Sequence, residues 1–403
     1  GLSAWFECPC RTALILERQR LRLNLKMQES VWRGYSMVIK PVVQWKPWPI
    51  RLIGFFLFWP LQLIAFCVFF LRAVFRPRKP IEVPAFVVSV GSLSVGGSGK
   101  TPLVQFLAEK LFRKGFRVGV VTTGYREKSK GTVLVSDGKN ILSTLADAGD
   151  ESYLLARNLP GVRIAAGMDR VDAARLLLDS GPLDVVLLDN GAQYHRLAKN
   201  IEILVTDRLE HQFKQLSLPV GRLKDCRTLG HGASVRILTR CRPDDWPISR
   251  VSPSTTVFTS SYKPSSLRHW FDGRAEVPLS AMHRKKVILF SGLGLNESFR
   301  NQLLPIFEQF QTELVRCKEF NDHHWYTRGD IRELFMDVKG DPDAFIVLTT
   351  QKDALKIKME WVPNPLRHIT YFVFSEFVLH SEQDFMDTVF RENKQWTNEV
   401  KKR

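Results

Sequence analysis

The chain has 403 residues, of which 44% are hydrophobic and 11% aromatic, a composition that excludes an intrinsically disordered protein and is large enough for two domains. It carries 58 Lys and Arg residues against 41 Asp and Glu residues, and the net charge of +17 favours polyanions such as an anionic bilayer, nucleic acid or a phosphorylated substrate. The chain has no zinc-finger spacing and no basic motif interleaved with aromatic residues, so we expect no nucleic-acid partner.

The first feature in chain order is the uncharged segment Leu52–Leu71. As a helix it would match a hydrocarbon core about 30 Å thick. Pro60 and Gln62 interrupt it, so a kinked span and a shallow membrane-inserted helix both fit, whereas a buried core helix is rarely apolar on every face. Basic residues follow the segment and predict that the next domain is cytoplasmic. We therefore expect a membrane anchor at 51–75, after an extension at 1–50 of unknown role.

Beyond residue 80 the hydrophobic pattern alternates between strands and helices, which predicts an α/β fold with a mainly parallel sheet and helices on both faces. A P-loop nucleotide-binding domain is expected at 80–241, a polar inter-domain connection at 242–280 and a smaller C-terminal α/β domain at 281–403. Strands are expected at Ala85–Val90, Arg117–Thr122, Val162–Ala165, Asp184–Leu188, Ile201–Val205 and Ser234–Thr239, and helices at Thr101–Phe112 and Val171–Leu178.

The strongest local motif is a glycine-rich turn between the first strand and the first helix. Its glycines would let backbone N–H groups approach phosphate oxygens, Lys100 would reach the β- and γ-phosphates, and the Thr101 hydroxyl would bind Mg²⁺. A simple glycine-rich turn does not explain why the helix starts with Gly-Lys-Thr. The predicted nucleotide-binding residues are Val95, Gly96, Gly97, Ser98, Gly99, Lys100 and Thr101.

A second candidate metal ligand is Asp189, which ends the apolar run Asp184–Leu188. Ligand sites in α/β folds lie at the carboxyl ends of such strands, so we expect Asp189 and Thr101 to hold Mg²⁺ together. An ordinary capping Asp is the alternative interpretation.

Further motifs follow in order along the chain: Val95–Pro102, Thr123–Arg126, Ala148–Ser152, Gly167–Arg170, Asp189–Tyr194, Leu218–Asp225, Phe320–His324 and Thr349–Ala354. Together they resemble the tetraacyldisaccharide 4′-kinase (lipid A 4′-kinase) family, whose P-loop also lacks the first glycine of the general motif, where this chain has Ser94. That family has an N-terminal membrane helix. Its members transfer the γ-phosphate of ATP to the 4′-hydroxyl of a tetraacylated glucosamine disaccharide 1-phosphate at the inner membrane.

The resemblance also implies roles for particular residues. Asp150 would be the base that accepts the hydroxyl proton, and His323 would orient it. Without the resemblance, a helix N-cap for Glu151–Arg157 is the alternative interpretation of Asp150. The expected clamp on the substrate or its phosphates consists of Arg170, Gln193, Lys224 and Asp225.

Several residues depart from the family motifs, and these departures keep other functions open. Asn190 replaces an Asp next to the metal ligand, and Tyr194, Ser152 and Gln351 replace His, Pro and Glu. A membrane-tethered NTP-binding regulator or pseudokinase is therefore the main alternative. A metal-dependent phosphoesterase and a P-loop ATPase acting on nucleic acid fit less well, because the histidines are scattered and a hydrophobic segment is present.

Overall fold

The valine-rich runs of the first half form buried strands, as their patterning predicts. The protein was studied as a computed structural model that describes Cys67 and residues 79–94, 97–124, 131–208, 235–241, 256–272, 275–294 and 296–400. The first sheet half consists of β1 (Phe86–Gly91), β2 (Val118–Thr122), β3 (Val133–Asp137), β4 (Arg163–Ala166), β5 (Val185–Asp189), β6 (Ile201–Asp207) and β7 (Val235–Thr239).

Helices cover both faces of this half. They are α1 (Lys100–Arg113), α2 (Leu145–Ala148), α3 (Asp150–Asn158) and α4 (Arg170–Asp179). Alternate residues of β1 contribute to two different hydrophobic clusters, Val88 to the one beneath α1 and α3 and Val87 to the one beneath α4. The α4 helix begins after Asp169, whose carboxylate accepts the backbone N–H of Val171 at 3.0 Å.

The second sheet half repeats the alternation of strands and helices. Its strands are β8 (Thr256–His269), β9 (Glu276–Pro278), β10 (Lys286–Ser291), β11 (Glu313–Glu319), β12 (Phe345–Thr350) and β13 (Thr370–Leu379). Its helices are α5 (Asn296–Gln309), α6 (Arg328–Phe335), α7 (Gln351–Ala354) and α8 (Glu382–Val400).

All described strands belong to one sheet with the order β11-β10-β12-β13-β8-β7-β6-β1-β5-β2-β4-β3, and β9 pairs with β8. Among the described strand pairs, β3–β4, β8–β9 and β8–β13 are antiparallel and the others are parallel. The expectation of a mainly parallel sheet with helices is therefore confirmed.

The strand β8 lies inside the segment 242–280, for which we expected an inter-domain connection. Its first residues pair in parallel with β7, and the rest pairs antiparallel with β13, so β8 joins the two sheet halves. Ser, Thr and Pro residues make this strand look like a linker in the sequence. Pro264 is tolerated because the register shifts beside it, where Phe374 and Ser375 of β13 meet β8. The domain boundaries themselves stay predictions.

The segment Leu52–Leu71 lies, apart from Cys67, outside the described residues, so the expected membrane anchor stays a prediction. In the part of the chain that the structure describes, every helix is too short or too polar to span a bilayer.

The C-terminal helix α8 packs back onto the core of the first sheet half. Phe385 is fully buried there, and its ring meets that of Phe258 edge-on with centroids 5.2 Å apart. Phe390 of the same helix stacks on Phe116, which follows α1. The first half of α8, as far as Phe390, is therefore part of the core that supports the glycine-rich turn.

This packing predicts that Phe385→Ala lowers the free energy of unfolding by about 3–5 kcal/mol, because a buried aromatic ring is replaced by a cavity. Chemical denaturation of the purified protein measures the loss. Thr388→Ala is the matched control, since Thr388 is only half-buried on the same helix and its described side-chain hydrogen bond is to the carbonyl of Asp384. Equal stability of the two variants would contradict this account of α8.

Candidate active site

The glycine-rich turn connects β1 to α1 in the middle of the first sheet half. Gly99 precedes α1 with φ +90°, a left-handed conformation that glycine adopts without strain. Lys100 is the first helical residue, and its ammonium group donates to the Ser98 hydroxyl at 3.1 Å. Val95 and Gly96, which we also expected to bind nucleotide, lie outside the described residues.

Residues at the end of β7 hold the turn by its carbonyl groups. The Thr239 hydroxyl donates to the Ser98 carbonyl at 3.0 Å, and the Arg240 guanidinium donates to the Gly97 carbonyl at 3.0 Å while pairing with Asp207. In a planar trans peptide, the C=O of one residue and the N–H of the following residue point in opposite directions. The N–H groups of Ser98 and Gly99 therefore face away from β7, as a phosphate cradle requires. The sequence analysis did not predict these contacts, although a Thr-Arg pair at the end of a buried strand could have indicated them.

Thr101 and Asp189 come together as the metal-site prediction requires. Val90 of β1 pairs with Asp189 of β5, and the Thr101 hydroxyl donates to Asp189 Oδ2 at 2.9 Å. Burial, and to a smaller extent the charge of Glu151, raise the pKa of Asp189 to about 6. Its Oδ1 atom is buried and has no hydrogen-bond partner among the described residues.

This donor set fits Mg²⁺, because an orphaned carboxylate oxygen and a hydroxyl are hard oxygen ligands. Elsewhere in the described ranges, His, Cys, Asp and Glu side chains form no group of three or more that could hold a metal. A magnesium ion here would therefore take its remaining ligands from phosphates and water, as is usual beside a P-loop.

Asp150 and His323 meet although they are 173 residues apart. Asp150 is the first residue of α3, and His323 lies in the loop between β11 and α6 with a left-handed φ of +59°. Nδ1 of His323 lies 2.9 Å from Asp150 Oδ2. Asp150 Oδ1 also accepts the backbone N–H of Glu151 at 3.0 Å, but Gly149 occupies the N-cap position, so the capping interpretation of Asp150 is wrong.

Two lysines complete the surroundings of Asp150. Nζ of Lys356 lies 3.2 Å from Asp150 Oδ2, and Nζ of Lys352 lies 3.4 Å from the same oxygen. Burial alone would raise the pKa of Asp150. The hydrogen bond from His323 and the two lysine charges outweigh burial and hold this pKa well below its usual range. The hydrogen bond to Asp150 in turn raises the pKa of His323.

The loops of the second sheet half bring Asp322 close to the glycine-rich turn. A Cβ atom built on Gly294 would lie 3.0 Å from Asp322 Oδ2 and 3.8 Å from the backbone nitrogen of Gly97. Asp322 directly precedes His323, and Lys352 links Asp322 to Asp150 and Glu151 with distances of 3.8, 3.4 and 3.7 Å. The glycine-rich turn and the Asp150–His323 pair are thus linked through Gly294, Asp322 and Lys352.

The expected substrate clamp is described in part. Arg170 is buried, and its guanidinium donates to the Thr123 hydroxyl at 3.1 Å and to the Asn190 carbonyl at 3.3 Å. Burial lowers the pKa of Arg170. Gln193 is exposed in the turn after β5. Lys224 and Asp225 lie outside the described residues.

Two of the departures from the family motifs have structural partners here. Tyr194 donates its hydroxyl to Asp169 at 2.6 Å, and its ring lies 5.0 Å from the Arg170 guanidinium carbon. Gln351 of α7 exchanges two amide hydrogen bonds with Asn158 of α3, at 2.8 and 3.1 Å. This amide pair ties the helix that carries Lys352, and that precedes Lys356, to the helix that carries Asp150.

A strand, a glycine-containing turn and a helix beginning with Lys-Thr, opposite a buried carboxylate on the neighbouring strand, define a P-loop α/β protein. The family model described as Tetraacyldisaccharide-1-P 4'-kinase matches residues 55–393 of the chain. The chain therefore belongs to the tetraacyldisaccharide 4′-kinase family.

Individual relatives agree with this assignment. The chain is similar to the tetraacyldisaccharide 4'-kinase of Halothermothrix orenii, with 31% identity over 72% of this chain and 79% of the relative. The kinase of the same name from Aquifex aeolicus is 33% identical over 69% of this chain and 81% of the relative. The solved structure titled "apo" form LpxK from Aquifex aeolicus in complex with ATP matches with a TM-score of 0.66 and 28% identity, covering 83% of this chain and 98% of that one.

The turn geometry predicts that Gly99→Ala weakens ATP binding by at least ~10-fold, because a left-handed residue with a side chain costs about 1–2 kcal/mol and the new Cβ would overlap the Tyr262 hydroxyl. Isothermal calorimetry with ATP and Mg²⁺ measures the loss. Adding Tyr262→Phe removes the overlapping oxygen and should recover part of the affinity.

Gly115→Ala is the control for backbone strain alone, since Gly115 has φ +88°, lies in the turn after α1 and has open space around it. It should lower stability and leave ATP affinity unchanged. Unchanged affinity in Gly99→Ala, or an equal loss in Gly115→Ala, would contradict the proposed cradle.

Proposed function

We propose that the protein transfers the γ-phosphate of ATP to the 4′-hydroxyl of a tetraacyl glucosamine disaccharide 1-phosphate, a step of lipid A biosynthesis. The observation that carries this proposal is that three elements are linked through neighbouring residues: the turn ending in Lys100, the Thr101–Asp189 pair and the Asp150–His323 pair. Lys352 joins Asp150 to Asp322, which lies beside the turn, and Glu151 is close enough for its charge to act on Asp189. Membership of the kinase family supports the same reaction and disfavours a regulator without activity.

In the proposed reaction Asp150 accepts the proton of the 4′-hydroxyl. The O–H bond breaks, the hydroxyl oxygen bonds to the γ-phosphorus, and the bond from that phosphorus to the bridging oxygen breaks and releases ADP. Because its pKa is depressed, Asp150 is a weak base. It is suited to a loose transition state, in which the hydroxyl loses its proton late, when bonding to phosphorus has already made it acidic.

Other residues bind and orient the reactants in this proposal. The N–H groups of the turn and Lys100 bind the phosphates of ATP, and Thr101 with Asp189 holds Mg²⁺, which supplies positive charge to the phosphate oxygens. His323 orients Asp150. Arg170, Gln193, Lys224 and Asp225 bind the sugar or its phosphate. Arg170 is prepared for this role because its position is already fixed by Thr123 and Asn190.

The proposed location follows from the substrate, which is a lipid. The segment Leu52–Leu71 and the basic residues after it would hold the protein at the inner membrane, with the catalytic cleft on the cytoplasmic side. The net charge of +17 favours an anionic membrane surface and an anionic glycolipid.

Incubation of the purified protein with labelled ATP, Mg²⁺ and a lipid disaccharide 1-phosphate should transfer label to the lipid. Lys100→Ala and Asp150→Asn should each lower turnover by at least ~10²-fold, because one loses phosphate binding and the other the proton acceptor. Asp150→Asn should keep its affinity for ATP.

Lys110→Ala and Asp172→Asn are matched surface controls on the neighbouring helices α1 and α4, and both should retain activity. ATP binding without transfer to the lipid by the wild-type protein would support a regulator instead. Unchanged turnover in Asp150→Asn would remove the assigned base.

A further inference from the structure

The surroundings of Asp150 contain more positive charge than a base–orienter pair needs. Oδ2 of this carboxylate has three nitrogen neighbours: Nδ1 of His323 at 2.9 Å, Nζ of Lys356 at 3.2 Å and Nζ of Lys352 at 3.4 Å. The lysines come from α7 and the turn after it, more than 200 residues from Asp150 along the chain. The proposed reaction assigns no role to either lysine.

Lys356 is placed where it can act on Asp150 and not on a substrate. Its side chain is 0% exposed, whereas burying an ammonium group is costly unless a carboxylate compensates it. Asp150 is the nearer of its two acidic neighbours, at 3.2 Å against 3.9 Å for Asp353 Oδ1. The 3.2 Å contact is an ion pair without hydrogen-bond geometry, so it acts through charge.

Asp353 has a separate structural task. Its Oδ2 atom accepts the Thr350 hydroxyl at 2.7 Å and the backbone N–H of Gly292 at 3.0 Å, which fixes α7 against the loop after β10. The carboxylate of Asp353 therefore anchors the segment that carries Lys356. Its other oxygen, Oδ1, is the one that faces the Lys356 ammonium.

Lys352 stands at the edge of the same cluster. Its side chain is 14% exposed, and it contacts Asp150, Glu151 and Asp322. The charged groups around Asp150 are thus His323 from the loop after β11 and the two lysines, with Glu151, Asp322 and Asp353 as further acidic partners of those lysines. The two lysines and His323 therefore contact Asp150 from two different segments of the second sheet half.

We propose that Lys356, assisted by Lys352, is a positioning residue of the phosphotransfer site: it fixes the Asp150 carboxylate and keeps it ionised when the negatively charged substrates enter the cleft. The inference rests on the proposed function. ATP, and a phosphorylated glycolipid beside it, would bring several negative charges near a buried carboxylate, and like charges favour its protonated form. A protonated Asp150 cannot accept the hydroxyl proton, so the buried cations preserve the base.

The test is the pH profile of kcat, which reports ionisation with the substrates bound, for the Lys356→Met variant, in which an apolar chain of similar length replaces the ammonium. Losing the cation raises the pKa of Asp150, so the acid limb of the profile should move up by about one pH unit or more. The loss of activity should therefore be largest at the acid end of the profile and smaller at higher pH. A merely structural role would lower activity at every pH and leave the acid limb in place.

Lys358→Met is the matched control, because Lys358 lies two residues further on, is exposed and pairs on the surface with Glu360 at 4.0 Å. Its profile should equal that of the wild type. If Lys356→Met does not fold, Lys352→Met carries the test, since Lys352 approaches the same oxygen from a less buried position. Calorimetry with ATP checks that the nucleotide site of each variant is intact.

The Asp150→Asn variant separates this inference from the proposed function. If Asp150→Asn retains full turnover, the assigned base is wrong and the lysines have no base to support. If Asp150→Asn loses turnover while Lys356→Met and Lys352→Met keep the wild-type acid limb, the proposed function stands and the role of the lysines is overturned. In the Asp150→Asn background, Lys356→Met should cause no further loss, because both changes act on one carboxylate.

Discussion

The structure depends on the buried carboxylate of Asp150, whose negative charge is compensated by nitrogen groups from a distant part of the chain. Asp150 is 5% exposed, and an isolated carboxylate at that depth would protonate. His323, Lys352 and Lys356 prevent this, and all three belong to the second sheet half. The ionised state of Asp150 therefore requires that both sheet halves be correctly assembled.

The sheet topology provides that assembly. β8 pairs with β7 at one end and with β13 along the rest, so a single continuous strand carries hydrogen bonds to both halves. The C-terminal helix α8 then returns to the first core, and the Asn158–Gln351 amide pair links α3 to α7. These three connections hold the loops of the second half beside the glycine-rich turn.

Local motifs were predictable because their chemistry lies in neighbouring residues. The turn before Lys100 and the strand that ends at Asp189 follow from glycine spacing and an apolar run, and their pairing follows from parallel strand geometry. The Asp150–His323 pair came from resemblance alone, because no local pattern relates residues 173 positions apart. Lys352 lies in the motif Thr349–Ala354 and Lys356 lies two residues beyond it. That both contact Asp150 could not be inferred from the sequence, because they are more than 200 residues away from it.

Other elements were missed for reasons of composition. β8 is rich in Ser and Thr and contains Pro264, and it reads as a linker until its partners β7 and β13 are known. Asn190 departs from the family motif next to the candidate metal ligand Asp189. In the structure Asn190 has φ +58°, a conformation that Asn adopts more easily than most residues, and its carbonyl group accepts the Arg170 guanidinium.

The most direct test of the central claim is a crystal structure of the protein with Mg²⁺, a non-hydrolysable ATP analogue and the lipid disaccharide 1-phosphate. We predict that the analogue lies on the turn before Lys100 and that the 4′-oxygen lies within hydrogen-bond distance of Asp150 and roughly 3–3.5 Å from the γ-phosphorus. His323 and Lys356 should still contact the carboxylate. A γ-phosphate remote from Asp150, or an Asp150 carboxylate that turns away from the sugar, would contradict the account.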